Sequence, residues 1–217
     1  GTEVGRQVWC GVRVCSDGSS VREFGQEPEE LEDDGMALVG GGVIAMGVVP
    51  DPLKWRTWPE DRVSVSEEGL LATHTADGEW SLTHTGEELT EGRHYWEVEI
   101  VGGGLFGVCR SDADPRADHG WREDTTAWLM GAGSGSLWGN GKQGDDAAGR
   151  FNDGDRMGFL LDLDDGSLRF FKNGAEHGPG YPAGSVTGPV ARAAQLYAAG
   201  DAVRLFPDAA WPAGHAP

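Results

Sequence analysis

FLLDLDDGSLRFFKNG, residues 159–174, places three aspartates within four positions, 162 to 165, and follows them at once with a glycine. Two structures compete for such a stretch, a metal loop and a turn. Oxygen-ligand loops need carboxylates at alternating positions, so that several side chains converge on one cation, and a later acid to close the shell. Here only Asp162 and Asp164 alternate, and Gly166 is followed by Ser167, Leu168 and Arg169. The metal loop fails on spacing. A period of two fits instead, with Phe159, Leu161 and Leu163 on one parity before the turn and Leu168 and Phe170 after it. Asp165-Gly166 is expected to make a two-residue hairpin turn with both residues at positive φ.

That hairpin is one of many. The 217 residues include 36 glycines, 11 prolines and 9 tryptophans with no long run of helix formers, a composition of short strands and tight turns. An all-β chain of this length buries a substantial core. Acidic residues outnumber basic ones 36 to 17, giving a formal charge of −19 that disfavours nucleic acids and anionic membranes as partners. Membrane insertion is not expected either. The longest apolar stretch, MALVGGGVIAMGVV at 36–49, carries four glycines, falls short of the roughly 20 residues of a spanning helix, and reads as one or two buried strands.

Along the chain, 8–25 alternates about an Asp17-Gly18 turn and is expected to be a further hairpin. EPEELEDD, 27–34, reads as a solvated loop, with a docking site for a basic partner as its alternative. The connection VPDPLKWRTWPEDR, 49–62, holds two tryptophans that suggest it is packed down. We place a boundary near residue 60, so that 1–60 is an N-terminal β-hairpin extension with an acidic loop and a Pro/Trp connection, 61–208 a sandwich, and 209–217 a tail. Cys10 and Cys15, five apart, would point to opposite faces of a strand, and with Cys109 they form no disulfide framework. A reducing, intracellular setting is expected, cytoplasmic first. The chain begins at Gly1, so an excised piece or a processed precursor, and with it an organelle address, stays open.

GRHYWEVEIVGGGLFGVCR, 92–110, resembles the strand pair that opens the SPRY domain, the core of the B30.2 family. FNDGDRMGFLLDLDDGSLRFFKNG, 151–174, is similar to that family's run of Gly-Asp turn, buried strand, acidic turn and aromatic strand closing on Asn-Gly. PVARAAQLYAAGDAVRLFP, 189–207, resembles its closing strands. The resemblance covers about 61–208. VSVSEEG, 63–69, resembles the edge of the PRY portion, whose usual Leu-Asp-Pro opening is absent, so that portion is taken as incomplete or missing. The fold implied is an antiparallel β-sandwich, a concanavalin-like jelly roll, with an N-terminal β extension.

The residues agree with that fold on their own terms. In HYWEVEI, Trp96, Val98 and Ile100 share one face and Tyr95, Glu97 and Glu99 the other, so Trp96 is assigned to the core and the glutamates to a solvated face. Gly102-Gly103-Gly104 precedes a strand rather than a helix and is read as a flexible connection, not a phosphate cradle. His74 and His84, each within Thr-His-Thr, lack the neighbours of a nucleophilic site. With Cys109 they also lack the close paired spacing of zinc ligands. No metal and no cofactor is expected. Glu97 and Glu99, about 6 to 7 Å apart at the backbone by the rise per residue, keep a glycan-cleaving or glycan-binding sandwich open as an alternative.

The resemblance implies a non-catalytic protein-interaction module, an adaptor or scaffold domain whose loops at one end bind a short segment of a partner protein. By position, the loop after LFGVCR brings Arg110, Asp112, Asp114 and Pro115, the next brings Trp121, AWLMG brings Trp128, and SLWGNGK brings Trp138, Asn140 and Lys142. The partner-binding set is then Arg110, Asp112, Trp121, Trp138, Asn140 and Lys142, with a loop-pinning or core role as the alternative for the tryptophans and core preferred for Trp128. The first alternative is a structural subunit of a large assembly, tethered through the N-terminal part and an extended WPAGHAP tail, with the glycan sandwich second.

Overall fold

The computed structural model describes residues 53–216 and, nearer the N-terminus, four strands. These four belong to a compact unit of their own, 1–49, distinct from 50–217. In it β1 (Val12–Val14) pairs antiparallel with β2 (Ser20–Arg22), and β3 (Met36–Val39) with β4 (Gly42–Ala45). The apolar stretch 36–49 therefore holds a strand pair. Cys10, Cys15, the Asp17-Gly18 turn and the acidic run 27–34 lie outside the described residues.

In the second unit every strand pairing is antiparallel. Those strands are β5 (Val63–Ser66), β6 (Leu71–His74), β7 (Ser81–His84), β8 (Arg93–Val101), β9 (Leu105–Cys109), β10 (Ala127–Gly131), β11 (Leu137–Gly139), β12 (Lys142–Asp145), β13 (Arg156–Asp162), β14 (Ser167–Lys172), β15 (Ala175–Glu176), β16 (Ala191–Leu196) and β17 (Ala202–Phe206). Six of them form one sheet in the order β12-β11-β10-β9-β16-β7, and seven form the other, β15-β14-β13-β8-β17-β6-β5. The sole helical turn among the described residues is a 3-10 turn at Glu67–Gly69. No helix among them is long and apolar enough to cross a membrane.

The core lies between the two sheets. Trp96 and Phe159, opposite one another in the β8–β13 register, stack at 4.9 Å between centroids and 8° between planes. Val98, Ile100, Leu161, Phe170 and Leu205 join them from one sheet, and Phe106, Val108, Trp128, Met130 and Leu196 from the other. Trp96, assigned to the core by alternation, and Trp128, for which a core role was preferred, are both buried. Replacing one such aromatic with alanine costs about 3 to 5 kcal/mol. Arg192 also points inward: its guanidinium lies 5.1 Å from the Trp96 ring and pairs with Glu87 at 2.6 Å. Burial lowers its pKa, and Glu87 opposes that shift.

The acidic turn is a hairpin of a different kind from the one expected. Asp162 pairs with Ser167, leaving four loop residues, and the Gly166 amide closes on the Asp162 carbonyl at 2.8 Å. Gly166 takes φ +74°, whereas Asp165 stays at negative φ. The aspartates cap backbone amides. Asp162 accepts from Asp164 N and Asp165 N, Asp165 from Ser167 N, and Asp164 from Gly92 N. Two-residue turns with both φ positive occur instead at Asn140-Gly141 and Asn173-Gly174.

Three further expectations are corrected. The Gly102–Gly104 connection is tied down, with Gly102 N donating to Asp153 and Gly103 N to Asp201. Glu97 is only 9% exposed, accepting from Tyr95 Oη at 2.7 Å and pairing with Arg156 at 3.0 Å. The tail, described as far as residue 216, is no extended tether. Trp211 packs on Tyr95 and His215 on Phe171, and the His215 carbonyl accepts from Arg93 at 2.9 Å. In the 49–62 connection Trp55 is buried at 4% and bridges to Thr85, while Trp58 is 46% exposed.

Candidate functional site

The outer face of the six-stranded sheet is apolar at its centre, where Leu82, Leu105, Cys109, Ala127, Leu129 and Ala193 form a second cluster. Odd positions of β9 and β10 face outward here, as Phe106 and Trp128 face inward. The long loop 110–126 folds over this face. Pro115 accepts from Leu82 N at 2.8 Å, Ala117 from Gln195 Nε2 at 2.9 Å, and Asp61 receives a bidentate pair from Arg116. His119, 2% exposed, pins the loop from within. Its Nδ1 lies 2.6 Å from Asp124 Oδ2 and its Nε2 2.7 Å from the Asp114 carbonyl. Thr126 Oγ1 lies 3.2 Å from the same Nδ1 and donates to Asp124 Oδ1 at 2.8 Å. These residue types are those of a hydrolase triad, but both ring nitrogens are engaged and the set is closed to a substrate.

Where the loop ends against the sheet, a concavity of about 140 Å³ opens, lined by Trp80, Leu105, Asp118, Gly120, Trp121, Trp138 and Gln143. Trp121 projects from the loop and is 54% exposed. Trp138 rises from β11 and lies flat over the sheet because Gly131 leaves room: a Cβ there would stand 2.9 Å from the Trp138 indole nitrogen. Trp80 precedes β7 and meets Tyr197 at 4.8 Å between ring centroids. Asp118 is half-buried and accepts from Gly120 N at 2.9 Å.

The residues singled out from the sequence divide among four places. Trp121 and Trp138 share the concavity. Arg110 and Asn140 converge on the segment 185–187, Arg110 donating to Thr187 Oγ1 at 3.1 Å while lying 5.8 Å from the Trp128 ring, and Asn140 Nδ2 donating to the Ser185 carbonyl at 3.2 Å. The Trp128 indole donates to that same carbonyl at 2.8 Å. Asn140, at φ +43°, heads the turn between β11 and β12, and Lys142 just after it pairs with Asp146 at 2.6 Å. Asp112 is exposed on the loop. Sequence reasoning missed Trp80, Leu105, Asp118 and Gln143. Trp80 carried a legible signal, since a tryptophan just before a strand of polar and small residues has little core to enter.

The ionisable groups described on and around this surface are mostly buried or already paired. The Cys109 thiol is pushed up to about 12, first by burial and then by Asp124 and Asp112, so it stays protonated. Burial likewise lowers the His84 pKa. Glu97 is occupied by Tyr95 and Arg156, and Glu99 lies 3.9 Å from Arg204. Among the described residues no three metal-ligating side chains come together.

A family model of the SPRY domain matches residues 93–207. The chain is similar to the ATP-dependent RNA helicase DDX1 of Xenopus laevis, with 29% identity over 128 residues, which are 58% of this chain and 17% of the helicase. It thus matches less than a fifth of that relative's length. Among solved structures, the SPRY domain of human HERC1 aligns with a TM-score of 0.58 at 25% identity, covering 71% of this chain and 95% of that one. The TRIM65 PSpry domain aligns at 0.54 with 19% identity, covering 67% and 85%, and a human SPRY domain at 0.53 with 20% identity, covering 72% and 98%.

Proposed function

The chain belongs to the SPRY domain family, whose members are protein-interaction modules, and on that footing we propose that it is a non-catalytic module binding a short segment of a partner protein. The bound segment sits in the concavity between loop 110–126 and the β9–β12 side of the six-stranded sheet. Trp121 is the observation that carries this reading. A tryptophan more than half exposed, facing two others across a dent in an otherwise well-packed sandwich, is the pattern of an interface anchor.

In this reading Asn140 and Lys142 hold the hairpin that presents Trp138, and Arg110 and Asp112 offer a second contact region beside 185–187. Residues 61–208 form the module, 1–60 an extension, and 209–217 a tail. A charge of −19 turns the partner class toward protein rather than nucleic acid. A reducing, intracellular compartment suits a chain whose described cysteine is buried and unpaired.

The test is affinity capture from native extract with the wild-type chain beside Trp121→Ala, with circular dichroism showing both folded. A partner held by the wild type and lost from the variant supports the reading. A partner recovered in stoichiometric amounts with both proteins rejects it in favour of a fixed structural subunit.

A further inference from the structure

Resting on the reading of the concavity as the recognition site, we propose that its ligand is an arginine side chain of the bound segment. Three tryptophans, Trp80, Trp121 and Trp138, supply aromatic walls, and a cation over an indole face is attracted by the ring quadrupole. Among the described residues of the lining Asp118 is the sole charged one. Its hydrogen bond from Gly120 N takes one carboxylate oxygen, Oδ1, and Oδ2 has no partner among the described residues.

The described cations nearby are engaged by the protein itself. Arg122 donates to the Gly141 carbonyl at 2.7 Å and pairs with Asp145 at 3.2 Å. Lys142 pairs with Asp146, and Arg116 with Asp61. Among the described residues the mouth therefore offers acceptors and ring faces but no free positive charge, in a chain of net charge −19. An anion meets repulsion there, and an aliphatic side chain leaves the Asp118 oxygen stranded. A quaternary ammonium satisfies the rings but donates nothing to Asp118. A guanidinium does both: its plane stacks on an indole while its edge donates to the Asp118 carboxylate and the Gln143 amide oxygen.

The probe is N-acetyl-arginine N-methylamide, titrated into the ¹⁵N-labelled full chain while the indole N–H signals of its nine tryptophans are followed. The expected result is saturable shifts at Trp80, Trp121 and Trp138 in the millimolar range, absent with the citrulline analogue and weaker with lysine. Asp118→Asn, which keeps an acceptor for Gly120 N, is expected to weaken binding about tenfold, as for the loss of one charge-assisted contact. Trp121→Ala should abolish the shifts at Trp80 and Trp138. Equal shifts with citrulline, tighter binding of the trimethyl-lysine analogue, or shifts confined to other tryptophans overturn the proposal.

The two readings fail separately. If Trp121→Ala loses the partner but replacing every arginine of the bound segment by citrulline changes nothing, the recognition reading stands and the arginine assignment falls. If the arginine probe shifts the three indoles while partner capture ignores Trp121→Ala, the arginine site stands and the recognition reading falls.

Discussion

Tyr181 is a buried phenol that organises a surface it does not reach. Its hydroxyl donates to the Trp138 carbonyl at 2.5 Å and accepts from Leu129 N at 3.3 Å, bridging β10 and β11 behind the concavity. Burial raises its pKa, so it stays a neutral donor. Tyr181→Phe strands the Trp138 carbonyl, and we expect a loss of about 1 to 3 kcal/mol in urea unfolding, from the cost of an unsatisfied buried group. An unchanged midpoint would mean the strand pair holds Trp138 without it. At this scale the sequence was half legible. Trp96 could be placed by alternation alone, because strand parity decides which way a side chain points. Trp121 and Trp138 could be named, but the lining brings together Trp80, the 118–121 loop and the 138–143 hairpin, up to 63 residues apart, and no local pattern links those three segments.

The two turns that flank β14 separate two properties of glycine at the scale of an element. Gly166 takes φ +74°, and a Cβ there would stand 2.8 Å from the Val186 carbonyl. Gly174 takes φ +82° in open space. Gly166→Ala therefore adds a clash to the backbone strain and is expected to cost about 2 to 3 kcal/mol, against about 1 for Gly174→Ala. Equal costs would show that the Val186 carbonyl yields freely. The sequence located this turn but mistook its form, since Asp-Gly fits a two-residue loop and a longer loop with a single left-handed glycine equally well.

The turn leading into β13 supplies a pH test. Asp155 accepts from Asn152 N at 2.7 Å, from Asn173 Nδ2 at 2.8 Å and pairs with Lys172 at 2.9 Å. Chiefly through the Asn152 amide, then Asn173 and Lys172, its pKa is held well below the ordinary 3.8. A depressed folded pKa means stability present above 3.8 and lost as pH falls through the folded value. Asp155→Asn should lower Tm at neutral pH, and the gap from wild type should shrink steadily below pH 3.8. A gap independent of pH would assign the effect to packing rather than to charge.

For the whole molecule, the two-sheet sandwich was legible because strand periodicity and turn residues recur along all of 61–208. The docked tail was not, since a short Pro-containing segment carries no periodicity and its position depends on Tyr95, 116 residues before Trp211, and on Phe171, 44 before His215. Trp211→Ala should therefore destabilise the chain by about 1 kcal/mol, the scale of an aromatic pair, where an extended tail would give no change.

The central claim concerns where a partner touches the sandwich. Photo-crosslinking tests it most directly, with benzoylphenylalanine replacing Trp121 in one protein and Arg169, exposed on β14 of the other sheet, in a second. Irradiation in native extract should join a partner segment to position 121 and not to 169. Crosslinks at 169 with none at 121 would move the recognition surface to the opposite sheet and contradict the account.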